Sequence, residues 1–172
     1  MRLPWKRSQS PSVAVLPVDW IETHAWLSWE APRNYVAGEA SYLKALERLT
    51  GPPCEDGYCL PVVVRLVREP RNQYDVNAIR AEVAGARIGY LRRHLAAQLT
   101  PGMDRARMSE FHVAGLLRGG STRAPHVGCH VWLDRGIGED GPSIKLPPED
   151  EWTVPWPINE RERPQVAADR AR

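Results

Sequence analysis

Near the middle of the chain, between two apolar runs, lies REPRNQYDVNAIR, residues 68–80. Tyr74 stands beside Asp75 in this stretch, Asn72 and Asn77 flank the pair, and Arg68 and Arg71 precede it. A tyrosine ring is a face on which a nucleobase can stack. An ionised aspartate only accepts hydrogen bonds, so it suits a ligand that brings a donor. Arginine contributes charge-assisted contacts to phosphate. Arg92 and Arg93 follow downstream and add two cations. The same residue types have a local use as well. Asn72, Asp75 and Asn77 favour turns because their side chains can bond nearby backbone groups. That accounts well for Asn77 at the start of a strand and less well for Tyr74 and Asp75. Both readings, an Asx-stitched connection and a lip for single-stranded nucleic acid, stand on these residues alone.

Other chemistries find less support. There is no G-x-x-x-x-G-K-[ST] cradle, no G-x-S-x-G elbow and no H-E-x-x-H pair. No catalytic motif is therefore read, and no enzyme is expected. The acidic run Glu149, Asp150 and Glu151 reads as a solvated face. Cys54, Cys59, His126, Cys129 and His130 are residue types that bind zinc, but their spacing matches no familiar finger. Cys129 and His130 are adjacent on an expected strand and should face opposite ways. No metal or other cofactor is expected, and Cys129 reads as a core thiol.

The elements that must position these groups are mostly strands. A short strand is expected over 35–38 and a helix over 40–50, where Leu43, Leu46 and Leu49 recur at helical spacing before Gly51. PPCEDGYC is a loop. LPVVVRLVRE is a strand with two largely apolar faces, and VNAIRAEV alternates as a strand with one wet face. Ala84-Gly85 makes a tight turn into ARIGYL. RRHLAAQL reads as a short helix, with Leu91, Leu95 and Leu99 on one face and Pro101-Gly102 as its end. FHVAGLLR and HVGCHVWLD give two more strands joined through Gly119-Gly120. The fold class that emerges is mainly β with two short helices, arranged as a small barrel.

Composition bounds the rest. A chain of 172 residues allows one compact domain plus tails. Residues 1–33 form a tryptophan-rich arm expected to dock in part, through Trp20, Trp26 and Trp29. Residues 34–134 form the barrel domain. Residues 135–172 are rich in proline and acid and are expected to be mostly extended, with Trp152 and Trp156 as points of attachment. Three cysteines give no disulfide framework. No apolar run is long enough to span a membrane, and no signal peptide is read, so the cytoplasm is the expected compartment. Residues 61–135 hold twelve arginines against six acidic residues, while both flanks are net acidic. A basic centre of this kind suits an anionic partner.

The stretch VRLVREPRNQYDVNAIRAEVAGARIGYLRRHLA resembles the HIRAN domain family, the module at the front of certain helicases. The family's signature is a strand, an EP-x-N-x-x-D-x-N-A turn, and a hairpin closing on G-x-L and a helix. Here it reads Glu69-Pro70, Asn72, Tyr74-Asp75, Asn77-Ala78 and Ile88-Gly89-Tyr90-Leu91. Upstream, VAGEASYLKAL resembles the family's opening strand and helix, and AGLLRGG its late strand. The resemblance covers residues 34–134. It implies an OB-like barrel that holds the 3′ end of single-stranded DNA between aromatic rings, with a carboxylate accepting from the free 3′-hydroxyl. Carried over, Tyr74 is a stacking ring, Asp75 the hydroxyl acceptor, Asn72 and Tyr90 pocket positions, and Arg93 a phosphate contact. Tyr35 is the candidate second ring, and Arg68, Arg71 and Arg92 are weaker phosphate contacts. The family's frequent proline before the tyrosine is Gln73 here. The sequence carries no helicase motor, so a helicase or nuclease partner is expected instead, in DNA repair or fork processing. Two other readings follow from the residues: a protein–protein module using the barrel as scaffold, and a subunit of a metal-dependent nucleic-acid enzyme.

Overall fold

The β-branched apolar run LPVVVRLV becomes the spine of the fold. In the computed structural model, which describes residues 34–133, 137–138 and 141–142, strand β2 (Tyr58–Arg68) pairs along its length with β5 (Glu110–Gly119). Its last four residues also pair with β3 (Ile79–Val83). Side chains alternate across a strand, so Leu60, Val62, Val64 and Leu66 share one face, and all four are buried in the core. Burying each contributes roughly 1.5–3 kcal/mol. Expectations for the N-terminal arm and for the tail lie outside the described residues, apart from a two-stranded pairing of Ile137–Gly138 with Gly141–Pro142.

Strands β1 (Asn34–Ala37), β4 (Ala86–Leu91) and β6 (Val127–Val131) complete a closed six-stranded barrel in the order β1-β4-β3-β2-β5-β6, with every pair antiparallel. Closure leaves no sheet edge to be protected. The expected class, mainly β with two short helices, is what the chain forms. A 3₁₀ turn at Glu39–Tyr42 leads into α1 (Leu43–Thr50), which buries Leu46 and Leu49. Helix α2 (Arg93–Arg105) buries Ala96, Leu99, Thr100 and Met103. Among the described residues no helix is long and apolar enough to cross a membrane.

The β3–β4 hairpin turns through Ala84 (φ 49°) and Gly85 (φ 75°). Two positive φ values in a two-residue connection are the mark of a turn whose twist matches the strands it joins. A register shift between Ala81 and Glu82 leaves Ile88 as an extra residue on β4. Ile88 and Leu91 have opposite parity in a strand, yet both are buried, and the bulge is what reconciles them. Gly89 lies between them at φ 150°. A Cβ there would come within 2.4 Å of the Ala37 carbonyl oxygen, which explains why β1 can close on β4 only over a glycine.

One expectation needs correction. Pro101 does not end α2: the helix continues to Arg105. Met103 is fully buried, and the helix stops in a Schellman arrangement, with Arg107 at φ 52°, Met108 N–H bonded to the Met103 carbonyl and Arg107 N–H to the Asp104 carbonyl. Core anchorage and a bonded end offset the loss of about 3 kcal/mol that an internal proline brings. Beyond β5, the Gly119-Gly120 pair makes the expected junction toward β6. It opens a loop over 120–126, closed by bonds from Gly120 N–H to the His126 carbonyl and from Ser121 N–H to the Ala124 carbonyl.

Candidate nucleic-acid interface

The polar insert becomes a ten-residue loop over 69–78, between β2 and β3. Its two ends are clipped by Glu69 N–H to the Ala78 carbonyl, 2.9 Å, which continues the ladder one step past the strands. Inside it, Asn72 and Asp75 act as turn formers, while Asn77, expected to do the same, is used differently. Asn72 Oδ1 accepts from the backbone N–H of Tyr74 (3.0 Å) and of Asp75 (3.3 Å). Asp75 Oδ1 accepts from Asn77 N–H at 2.9 Å. Asn77 Oδ1 accepts from the Thr100 hydroxyl of α2 at 3.0 Å, so the loop is fastened to the helix as well as to itself. Asn72 Nδ2 donates to Glu69 Oε2 at 2.9 Å.

A loop so stitched holds its side chains in place before any ligand arrives. Tyr74 is 79% exposed and Val76 66% exposed. Asp75 keeps its second oxygen, Oδ2, 3.9 Å from Arg93 Nε, and the Arg93 side chain is itself 82% exposed. Acceptor and cation are therefore adjacent, and the exposed ring stands on the neighbouring residue of the chain. Arg71 is exposed on the same loop and has no ion pair among the described residues.

The remaining expected site residues are distributed differently. Tyr35, on β1, has the His130 ring at 4.2 Å, tilted by 52°, and the Arg92 guanidinium 5.4 Å from its centroid. A base would reach this ring in competition with those contacts, and no ring contact joins it to Tyr74. The Tyr90 hydroxyl donates to Glu69 Oε2 at 3.1 Å, and the Arg87 guanidinium lies 5.7 Å from its ring centroid. Burial, and then the hydrogen bond to Glu69, push the Tyr90 phenol above its usual range. Arg68 is a strut: its side chain is 9% exposed, it donates to the Val76 carbonyl, and it pairs with Asp104 of α2 at 3.3 Å. A phosphate contact by Arg68 would have to break these bonds.

The sequence reading passed over Glu69 except as a letter of a motif. The structure makes it a hub, bonded by Asn72, Tyr90 and Arg80, with Arg87 Nη2 at 3.7 Å. Burial alone would raise its carboxyl, but the hydrogen bonds from Asn72, Tyr90 and Arg80 outweigh that and hold it below the ordinary range. Arg80 also lies 2.7 Å from Glu82, and Arg65 bridges Glu82 to Glu110 on the same wall. The hydrogen bond from Arg65 holds the Glu110 carboxyl low in turn. Arg65 and Arg80 are thus paired along the barrel wall, while the net basic excess of the region is unchanged. A shallow open depression lies beside Glu69, Pro70, Arg71 and Asn72.

The candidate metal ligands lie as follows. The Cys54 thiol donates to the Gly57 carbonyl at 3.3 Å, Cys129 is buried in the core as expected of it, and His126 is exposed. The Cys59 side chain lies outside the described residues. Among the described residues no three of His, Cys, Asp and Glu gather as a metal would require.

A family model of the HIRAN domain matches residues 41–134, more than half of the chain. The chain belongs to the HIRAN domain family. Members of this family are generally DNA-binding modules, and the matched span includes α1, the loop and the hairpin beyond it. Among solved structures the chain is similar to the crystal structure of the HIRAN domain of human HLTF, at 25% identity over 59% of this chain and 72% of that one, with a TM-score of 0.35. No match was found among curated proteins.

Proposed function

We propose that this HIRAN barrel binds single-stranded DNA at a free 3′-hydroxyl end, and that it is a binding module without chemistry of its own. The observation that carries the reading is the pairing of an exposed ring with a half-occupied carboxylate on one pre-bonded loop: Tyr74, 79% exposed, beside Asp75, which has one oxygen committed to Asn77 N–H and the other near Arg93. The Tyr74 ring stacks on the terminal base. Stacking tolerates any base and contributes about 1–3 kcal/mol per base. Asp75 Oδ2 accepts the 3′-hydroxyl proton, the donor that an end has and an internal phosphodiester lacks. The same charge repels a terminal phosphate. Arg93 meets the nearest backbone phosphate, and Arg71 and Arg92 add weaker cation contacts. Tyr35, with Arg92 already over it, is the position for a second base. In this reading the module presents DNA ends to a helicase or nuclease during repair or fork processing.

The test is a competition between oligonucleotides of one sequence ending in a 3′-hydroxyl or a 3′-phosphate. The hydroxyl end should bind about tenfold to a hundredfold more tightly, as expected for one charge-assisted hydrogen bond of about 1.5–3 kcal/mol. Asp75→Asn keeps an oxygen for the Asn77 N–H and removes the charge, and should erase most of the preference. Arg93→Ala should weaken both ligands and flatten the salt dependence. Equal affinity of the wild-type chain for the two ends overturns the end-recognition reading.

A further inference from the structure

The backbone N–H groups of Tyr74 and Asp75 both donate to a single oxygen, Asn72 Oδ1, while the Asp75 carbonyl accepts from Ala78 N–H at 3.0 Å. An amide has two chemically different ends, and only one orientation gives that oxygen to the loop. We propose that Glu69 is the positioning residue of the DNA-binding loop: by taking the Asn72 Nδ2 donor it aims Asn72 Oδ1 at the N–H groups of Tyr74 and Asp75. The consequence for DNA rests on the reading above; the positioning itself does not.

The geometry is specific. Asn72 Nδ2 lies 2.9 Å from Glu69 Oε2, while Asn72 Oδ1 lies 3.0 Å and 3.3 Å from the two backbone nitrogens. Flipping the amide would set a donor against two donors at one end and an acceptor against a carboxylate at the other. Glu69 is in turn fixed from outside the loop. Its other neighbours are the Arg80 guanidinium from β3 and the Tyr90 hydroxyl and Arg87 guanidinium from β4. Every one of these groups is a donor. A carboxylate offers them two acceptor oxygens, whereas a glutamine would bring one oxygen and an NH2. The chain of contacts continues from Arg80 to Glu82 and through Arg65 to Glu110, so the loop is tied to a wall built from β3, β2 and β5. The carboxyl stays ionised at neutral pH because the hydrogen bonds from Asn72, Tyr90 and Arg80 outweigh the effect of burial.

The experiment compares the wild-type chain with Glu69→Gln, Asn72→Asp and the double variant, by amide hydrogen exchange and by the 3′-end competition. Asn72→Asp sets carboxylate against carboxylate across the 69–72 contact. In Glu69→Gln the single oxygen goes to Arg80 and Arg87, which turns the glutamine NH2 toward the Asn72 NH2. Amide exchange at Tyr74 and Asp75 should speed up about tenfold in each, while the amides of β2 and β5 keep their protection. The preference for a 3′-hydroxyl should fall several-fold in both. The double variant exchanges donor and acceptor across the same contact, so protection at Tyr74 and Asp75 should recover part of the way. Unchanged exchange at these two amides in Glu69→Gln overturns the proposal. So does a uniform loss of protection across the barrel, which would make Glu69 a general stability residue, and so does simple additivity in the double variant. If the wild-type chain shows no end preference, the DNA-end reading falls while the exchange data still decide the anchor.

Discussion

Strand β3 is entered and left by two connections that do the same topological job in different ways. The exit, Ala84-Gly85, reverses the chain in two residues, both at positive φ. The entrance uses ten residues, 69–78, and fastens them with side-chain bonds from Asn72, Asp75 and Asn77. Both join adjacent antiparallel strands, so reversal needs no more than the exit provides. The additional length at the entrance costs loop-closure and ordering entropy, which the Asx bonds offset. What that length does is carry Tyr74 and Val76 outward and set Asp75 Oδ2 beside Arg93. A connection built only to turn would not hold an open ring in a fixed place.

Three changes test this contrast, in order of expected effect. Replacing residues 69–78 by Asn-Gly, grafted between Arg68 and Ile79, which already face each other across the ladder, should leave a folded barrel. It should also reduce single-stranded DNA affinity more than a hundredfold. Circular dichroism with a fluorescence anisotropy titration reads both, and a barrel that fails to fold would show the loop to be structural. Tyr74→Ala removes one exposed ring. It should weaken DNA binding by about tenfold to a hundredfold, in line with a loss of about 1–3 kcal/mol per stacked base. The melting temperature should stay nearly constant, since little of the side chain is buried. Ala84→Gly acts on the other connection. It relieves a left-handed residue that carries a Cβ, so stability should rise by up to about 1 kcal/mol in a urea titration, with DNA affinity unchanged. A binding change on Ala84→Gly would mean that the two connections are not separable.

How far these features could be read in advance varies with the distance between partners. The β2 strand and the Ala84-Gly85 turn are local: a β-branched apolar run and turn chemistry lie within a few residues, and both appear where expected. The turn-forming use of Asn72 and Asp75 is local too, because each bonds a backbone group two or three residues away, whereas Asn77 bonds Thr100 far along the chain. Pro101 misled because local helix rules do not see Met103 buried in the core beyond it. Arg68 looked like a free cation because its partners, Asp104 and the Val76 carbonyl, come together with it only in the folded chain.

By itself, then, the order of apolar and polar residues determined a mainly β chain, its hairpin and its stitched loop, because alternation and Asx chemistry act over short spans of backbone. Only the closed barrel decided which charges remain available. Closure brings β3 and β4 against the loop and turns Glu69 from one carboxylate among many arginines into the acceptor on which Asn72, Arg80 and Tyr90 converge. It also consumes Arg65, Arg68 and Arg80 in internal pairs and leaves Arg71 and Arg93 facing solvent. The physical reason is that an ion pair depends on distance in space, and distance in space across a barrel is set by strand register, which no short window of sequence contains.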